Sequence, residues 1–218
     1  MRAMVVESPR PAEEEPLRQV ERELPEPGAD EVRVRVEVCG VCRTDLHVAE
    51  GDLAPRRPSV VPGHEIVGIV EACGREARRF REGDRVGIAW LHRACGRCRF
   101  CQRGAENLCL EPRFTGWDTD GGYADYTVAP EAFVYPLPSG LVARDAAPLL
   151  CAGIIGYRSL QRSEVPPGGR LGLFGFGSSA HGSSSDRTSP FHIARMYPWA
   201  TRRGASSENG SVSVGAAG

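Results

Sequence analysis

Four cysteines packed into fifteen residues constrain this chain more than any other feature. Cys95, Cys98, Cys101 and Cys109 follow the spacing C-x2-C-x2-C-x7-C. Thiolates so close in sequence can surround one tetrahedral ion, and Zn2+ is the usual occupant of a closed all-cysteine site. An iron-sulfur cluster favours a shorter last interval and a Pro after its final Cys, whereas Leu110 follows Cys109. Disulfides compete for the same thiols. The N-terminal MRAMVVESPRP has no secretory pattern, however, and clustered C-x2-C spacing in such a chain favours metal. The four residues are read as a structural zinc site and the chain as cytoplasmic.

The 218 residues are 41% hydrophobic and 25% charged with a net charge of -1, which describes an ordinary globular protein with one substantial core. Near-neutral charge gives no reason to expect nucleic acid or an anionic membrane as partner. No apolar run approaches the roughly 20 residues that span a bilayer. All 27 basic residues are arginine, so lysine nucleophiles and Schiff bases are ruled out.

Residues 1–142 read as short strands with Gly and Pro punctuation, a mostly β, barrel-like or sandwich domain. Glu31 to Val38 alternates charged and apolar residues, the pattern of a half-buried strand. Further strands are expected over His64–Ala72, from Gly83-Asp84-Arg85-Val86 onward, over Gly122–Ala129 and over Phe133–Leu137. From Ala143 to Leu160 the composition is helical, and Val165-Pro-Pro-Gly-Gly169 breaks the chain, so residues 143–168 read as a helical connector. An apolar strand then runs into Gly175-Phe-Gly177-Ser-Ser-Ala180, which fits G-x-G-x-x-G/A. Residues 169–181 thus read as the start of a dinucleotide fold. The amphipathic helix that should follow is not evident. Residues 182–218 are rich in Ser, Gly and Arg and read as a low-complexity, disordered tail.

A second metal site is dispersed. Cys42 in Gly40-Val-Cys42-Arg-Thr-Asp-Leu-His47 offers one thiolate, Gly63-His64-Glu65 an imidazole and Cys151 another thiolate. Two thiolates and an imidazole with the fourth position open suit a catalytic zinc rather than a structural one. Each part alone has a plainer reading: a surface or core histidine, a helical Cys acting as a small hydrophobe, or a knuckle or redox pair in Cys39-x2-Cys42. Spacing does not choose between Cys39 and Cys42.

The string around Cys42, then Pro62-Gly63-His64-Glu65, the four-cysteine set and Cys151, taken in order, resembles the zinc-dependent alcohol dehydrogenases of the medium-chain dehydrogenase/reductase superfamily. The resemblance runs from the N-terminus to about His181. It implies a GroES-like β-barrel domain with a structural zinc lobe, followed by the first strand-turn of an incomplete Rossmann α/β domain. The implied cofactors are two zinc ions, one catalytic and one structural, with NAD(H) or NADP(H). On this reading Cys42, His64 and Cys151 hold the catalytic zinc, and Glu65 is a carboxylate that can approach it. Asp45 fixes the tautomer of His64; its competing reading is an acid at a helix N-terminus. Thr44 takes the proton of the alcohol and passes it through the cofactor ribose to His47. Arg43 contacts the cofactor pyrophosphate, and Gly175, Gly177 and Ala180 form the dinucleotide turn. Trp90 and Trp117 wall the substrate pocket or sit in the core. The expected activity is oxidation of a primary or secondary alcohol to aldehyde or ketone, with a polyol or formaldehyde dehydrogenase as a variant. A zinc-holding, non-catalytic GroES-like module is the rival. Full-length members are homo-oligomeric, and the state of this chain is left open.

A βαβ unit needs roughly 30 residues and a doubly wound sheet needs several units. The acidic residue expected about 20 positions past the glycines is not assignable: Asp186 is too close, and Glu208 lies in a Ser-Gly stretch. The expectation is therefore an alcohol dehydrogenase frame truncated or shifted near His181, holding zinc and binding NAD weakly or not at all.

Overall fold

A computed structural model describes residues 1–166, 169–175, 177–179, 192–197 and 214–216. The strands and helices in chain order are β1 (Arg2–Val6), β2 (Leu17–Glu21), β3 (Glu31–Gly40), α1 (Arg43–Glu50), β4 (Glu65–Cys73), β5 (Arg85–Ile88), β6 (Leu91–Arg93), β7 (Arg113–Phe114), β8 (Tyr126–Pro130), β9 (Val134–Pro136), α2 (Ala143–Ala146), α3 (Ala152–Ser163), β10 (Arg170–Phe174), β11 (His192–Tyr197) and β12 (Val214–Ala216). They fall into two compact units, Met1–Cys151 and Ala152–Gly218.

The first unit is mostly β, as its alternating segments require. Val32 and Val34 of β3 are fully buried, while Arg33 and Arg35 between them reach ion partners in Glu26 and Glu71. This period-2 pattern puts β3 at the heart of an antiparallel five-stranded sheet ordered β8-β3-β4-β5-β9. Ile66, Val70, Val86, Ile88, Ala129 and Val134 complete the main core cluster with the β3 valines. β1 and β2 form a separate antiparallel ribbon, and β6 pairs with β7 beside the cysteine-rich lobe.

Two expected strands differ in extent. The segment from Gly122 enters β8 only at Tyr126, and β9 begins at Val134 after a 3-10 turn over Glu131–Phe133. Residues 121–123 instead give their backbone N–H groups to Val61, Gly63 and Pro62, at 2.7, 2.9 and 3.0 Å. A side chain at Gly121 would come within 2.0 Å of the Gly63 carbonyl oxygen. The Gly121-Gly122 pair is therefore a close backbone crossing, which pins the loop carrying His64.

The helical stretch expected from Ala143 to Leu160 is interrupted. α2 passes into a 3-10 turn over Ala147–Leu150 with Pro148 in its first turn, and Cys151 leaves helical geometry at φ -128 and ψ -76. Proline lacks the N–H that an α-helix would use and crowds the preceding turn.

In the second unit β10 pairs in parallel with β11 and antiparallel with β12. Leu160 of α3 packs on Val165, Leu171 and Leu173. β11 and β12 lie inside residues 182–218, which composition describes as featureless. A buried apolar strand such as β10 takes backbone partners on both edges, which local composition does not report. Gly175 sits at φ +85 directly after β10, in the left-handed conformation a tight strand-to-helix turn demands. Gly177 is exposed; Ala180 and His181 lie outside the described residues.

Candidate metal centres

The register of β3 and β4 builds the dispersed centre. Gly40 is paired with Glu65, so the chain runs from the end of β3 into Cys42 and enters β4 directly after His64. Cys42 is the N-cap of α1. Asp45, three residues on, accepts the Cys42 N–H through Oδ2 at 2.8 Å. Its Oδ1 accepts the Gly63 N–H at 3.1 Å and lies 2.8 Å from His64 Nδ1. The two readings of Asp45 are thus simultaneous: it caps the helix and it holds the histidine. With Nδ1 committed to the carboxylate, Nε2 is the nitrogen left for a metal.

Cys151 closes the set, its Sγ 3.8 Å from the Sγ of Cys42. Tetrahedral zinc with Zn–S bonds of about 2.3 Å separates two sulfurs by about 3.8 Å, so the thiols stand at the required spacing. Cys42, His64, Glu65 and Cys151 each offer a donor atom, all within 4.8 Å of one another. Two soft sulfurs, an imidazole and a carboxylate suit a borderline-soft divalent ion. His64 is 1% exposed, and Asp45 and Glu65 are each 4% exposed.

The four donors perturb one another's protonation. Burial opposes protonation of His64, but the bond to Asp45 and contact with Cys42 outweigh it and raise the imidazole to about 9. The Cys151 thiol and His64 hold Cys42 well below the usual thiol range, while contact with Cys42 and burial push Cys151 up. Burial and the neighbouring Cys42 raise Glu65. Cys39 stays outside the cluster, half-buried against Gly63 and Gly122, and burial pushes its thiol up. Of the two cysteines that spacing left open, Cys42 stands among the grouped donors and Cys39 does not.

Thr44 Oγ1 lies 3.8 Å from Cys42 Sγ. His47, one turn further along α1, is not among the grouped donors, and its Nδ1 lies 2.7 Å from Asp52 Oδ2. Arg43 is exposed at the start of α1. Gly175 and Gly177 belong to the second unit.

Trp90 stands against His64 edge-on, with ring centroids 5.0 Å apart. It stacks on Phe114 at 4.9 Å and on Trp117 at 6.0 Å. The Arg56 guanidinium covers the Trp117 ring at 3.7 Å and pairs with Asp118 at 2.9 Å. Sequence reading singled out the two tryptophans but not Phe114, Arg56, Asp118 or the His47 partner Asp52; none of these carries a motif.

The second centre is local. Cys95, Cys98, Cys101 and Cys109 also offer donors within 4.8 Å of one another, with sulfur separations of 3.5 Å for Cys98–Cys101 and 3.9 Å for Cys95–Cys101. The backbone N–H groups of Cys95 and Glu111 point at the Cys109 sulfur, at 3.2 and 3.3 Å. Backbone donors lower Cys98 and Cys109 toward the thiolate form that binds metal.

A family model described as the alcohol dehydrogenase GroES-like domain matches residues 28–139. The chain belongs to that family. It is 58% identical over 186 residues to the probable alcohol dehydrogenase AdhA of Mycobacterium tuberculosis, across 83% of this chain and 54% of the relative. An alcohol dehydrogenase of Geobacillus stearothermophilus is 42% identical over 183 residues, covering 83% and 53%. Among solved structures, a cobalt- and zinc-bound thermostable alcohol dehydrogenase from Pyrobaculum aerophilum superposes with a TM-score of 0.76 at 29% identity, over 84% of this chain and 55% of that one. The chain spans about half the length of the curated relatives it matches. The GroES-like β fold expected from the resemblance is therefore the fold of this family member. Among the described residues no helix is long and apolar enough to cross a membrane.

Proposed function

We propose that this chain carries the catalytic machinery of a zinc-dependent alcohol dehydrogenase, converting a primary or secondary alcohol to an aldehyde or ketone with NAD(P)+ as hydride acceptor. The observation that supports this most is the open-type donor set: two thiols 3.8 Å apart and a buried histidine whose other nitrogen is held by Asp45. A structural site is usually closed by four cysteine or histidine ligands, whereas the donor beside these three is the Glu65 carboxylate. When bound, zinc supplies Lewis acidity to the alcohol oxygen and the nicotinamide accepts the hydride.

The residues divide the work. Cys42, His64 and Cys151 hold the ion, and Asp45 orients His64. Glu65, the fourth donor in reach, keeps a carboxylate beside the position the substrate takes. Thr44 accepts the alcohol proton, with His47, in contact with Asp52, as its exit toward solvent. Arg43 offers charge to the cofactor pyrophosphate, and Gly175, Gly177 and Ala180 form the turn beneath it. Trp90, edge-on to His64, shapes a pocket for small alcohols. The four-cysteine lobe takes the structural zinc. Small alcohols and aldehydes are the partners, neither nucleic acid nor membrane is one, and the cytoplasm is the place of work. NAD and NADP are not distinguished by any described residue.

The test is metal analysis of the purified chain together with NAD+ and NADP+ reduction in the presence of ethanol and propanol. Two zinc ions per chain and alcohol-dependent reduction that is lost in Cys151→Ser would support the proposal. Two zinc ions with no reduction would favour the non-catalytic zinc module, and one ion alone would remove the catalytic site.

A further inference from the structure

A cavity in the first unit has Asp45 in its lining but none of Cys42, His64 and Cys151. Its volume is about 400 Å³, and Leu17, Leu46, Ala49 and Pro62 supply apolar walls. That volume falls in the range of small-molecule sites. Asp45 reaches the lining, but its oxygens already accept from Cys42, Gly63 and His64. It is not available as an anchor. The groups left to recognise a ligand are the Tyr123 ring and the Glu15 carboxylate.

The charge around that edge is mainly acidic. Glu13, Glu14 and Glu15 are consecutive and exposed, and Glu50 accepts the Ala12 N–H at the same turn. Arg10 donates to the carbonyls of Glu14 and Glu15, and Arg43 is exposed at the start of the helix that carries Leu46. Glu15 holds a left-handed backbone, φ 53, directly before Pro16. Non-glycine residues rarely adopt that conformation, and here it carries the chain across the edge of the cavity.

We propose that this cavity binds a small organic ammonium ion with an aliphatic body. The body is buried among Leu17, Leu46, Ala49 and Pro62. The cation is favoured by the acidic edge and by the Tyr123 ring in the lining, since ring quadrupoles attract quaternary and primary ammonium groups. An anion of the same shape meets the Glu15 carboxylate and an apolar wall. The site is separate from the proposed alcohol pocket and stands whether or not that function holds.

The decisive experiment is calorimetric titration of the full chain with hexyltrimethylammonium, which has no lone pair to bind a metal, and with hexanesulfonate as the anionic match. The expected result is saturable binding of the cation, at least about tenfold tighter than the anion and weakened by salt. Leu46→Trp, which fills the cavity, should abolish it. Glu15→Arg, at an exposed position, should weaken it severalfold and remove most of the salt dependence. Equal or tighter binding of the anion would overturn the proposal. So would absence of saturable binding, or cation binding indifferent to Glu15→Arg; should Leu46→Trp fail to fold, the Glu15 variant decides alone.

Discussion

Asp45 Oδ1 and His64 Nδ1 lie 2.8 Å apart, both side chains buried, and the same carboxylate caps α1 through the Cys42 N–H. One side chain therefore fixes two metal ligands, the histidine directly and the cysteine through its backbone. Losing it should be felt at the metal and in the helix together.

Asp45→Ala is expected to weaken metal binding at the Cys42, His64 and Cys151 centre by about 10- to 100-fold, the usual effect of removing a partner behind a ligand. Loss of the cap adds about 1 kcal/mol of destabilisation. Chelator competition should show one weakened site and one unchanged, because the four-cysteine lobe shares no hydrogen bond with Asp45.

Cys151→Ser should lower the bound zinc from two ions to one per chain and leave the fold of the cysteine-rich lobe intact. Cys101→Ser should do the converse. Atomic absorption and the cobalt–thiolate absorption band of the metal-exchanged protein read the two sites separately.

Gly63 sits at φ +97, and a Cβ there would come within 2.6 Å of the Tyr123 ring and 2.8 Å of Cys39 Sγ. Gly63→Ala combines backbone strain with a clash, each costing on the order of 1 kcal/mol or more. A lower Tm and loss of metal at the His64 centre are expected, measured by calorimetry with metal analysis of the folded fraction.

His92 of β6 is 5% exposed, and its Nδ1 has no hydrogen-bond partner. Burial lowers its pKa from 6.5 to about 4. Above pH 6.5 the ring is neutral folded and unfolded, so nothing is lost. Between 6.5 and 4 the unfolded chain takes a proton that the folded chain refuses, and stability falls by about 3 kcal/mol across that window. Urea titrations at pH 7 and pH 4.5 should show this loss in the native protein and a shallower one in His92→Phe.

The four-cysteine centre was legible because its donors are local: fifteen residues cannot stray far enough to separate four thiols. The other centre was legible only through resemblance, since no periodicity links Cys42 to a thiol 109 positions away. Asp45 was read as either a cap or a histidine partner, and its two oxygens serve both. Gly122 reads as the start of a strand, but its lack of a side chain, like that of Gly121, is spent on crossing Gly63. The Arg56–Trp117 contact and the His47–Asp52 pair had no signal at all. They arise where α1 and the loops around it meet, a matter of tertiary approach rather than pattern.

The separation between Cys42 and Cys151 also sets an order of events on the ribosome. The cysteine lobe has all its thiols once residue 109 has emerged, and it can capture its ion while synthesis continues. Cys42 and His64 are by then already outside the exit tunnel, joined through β3 and β4 yet one sulfur short. Until residue 151 follows, a nascent chain offers metal only a partial grip there. The second ion is therefore recruited late, by a domain that has already taken its shape.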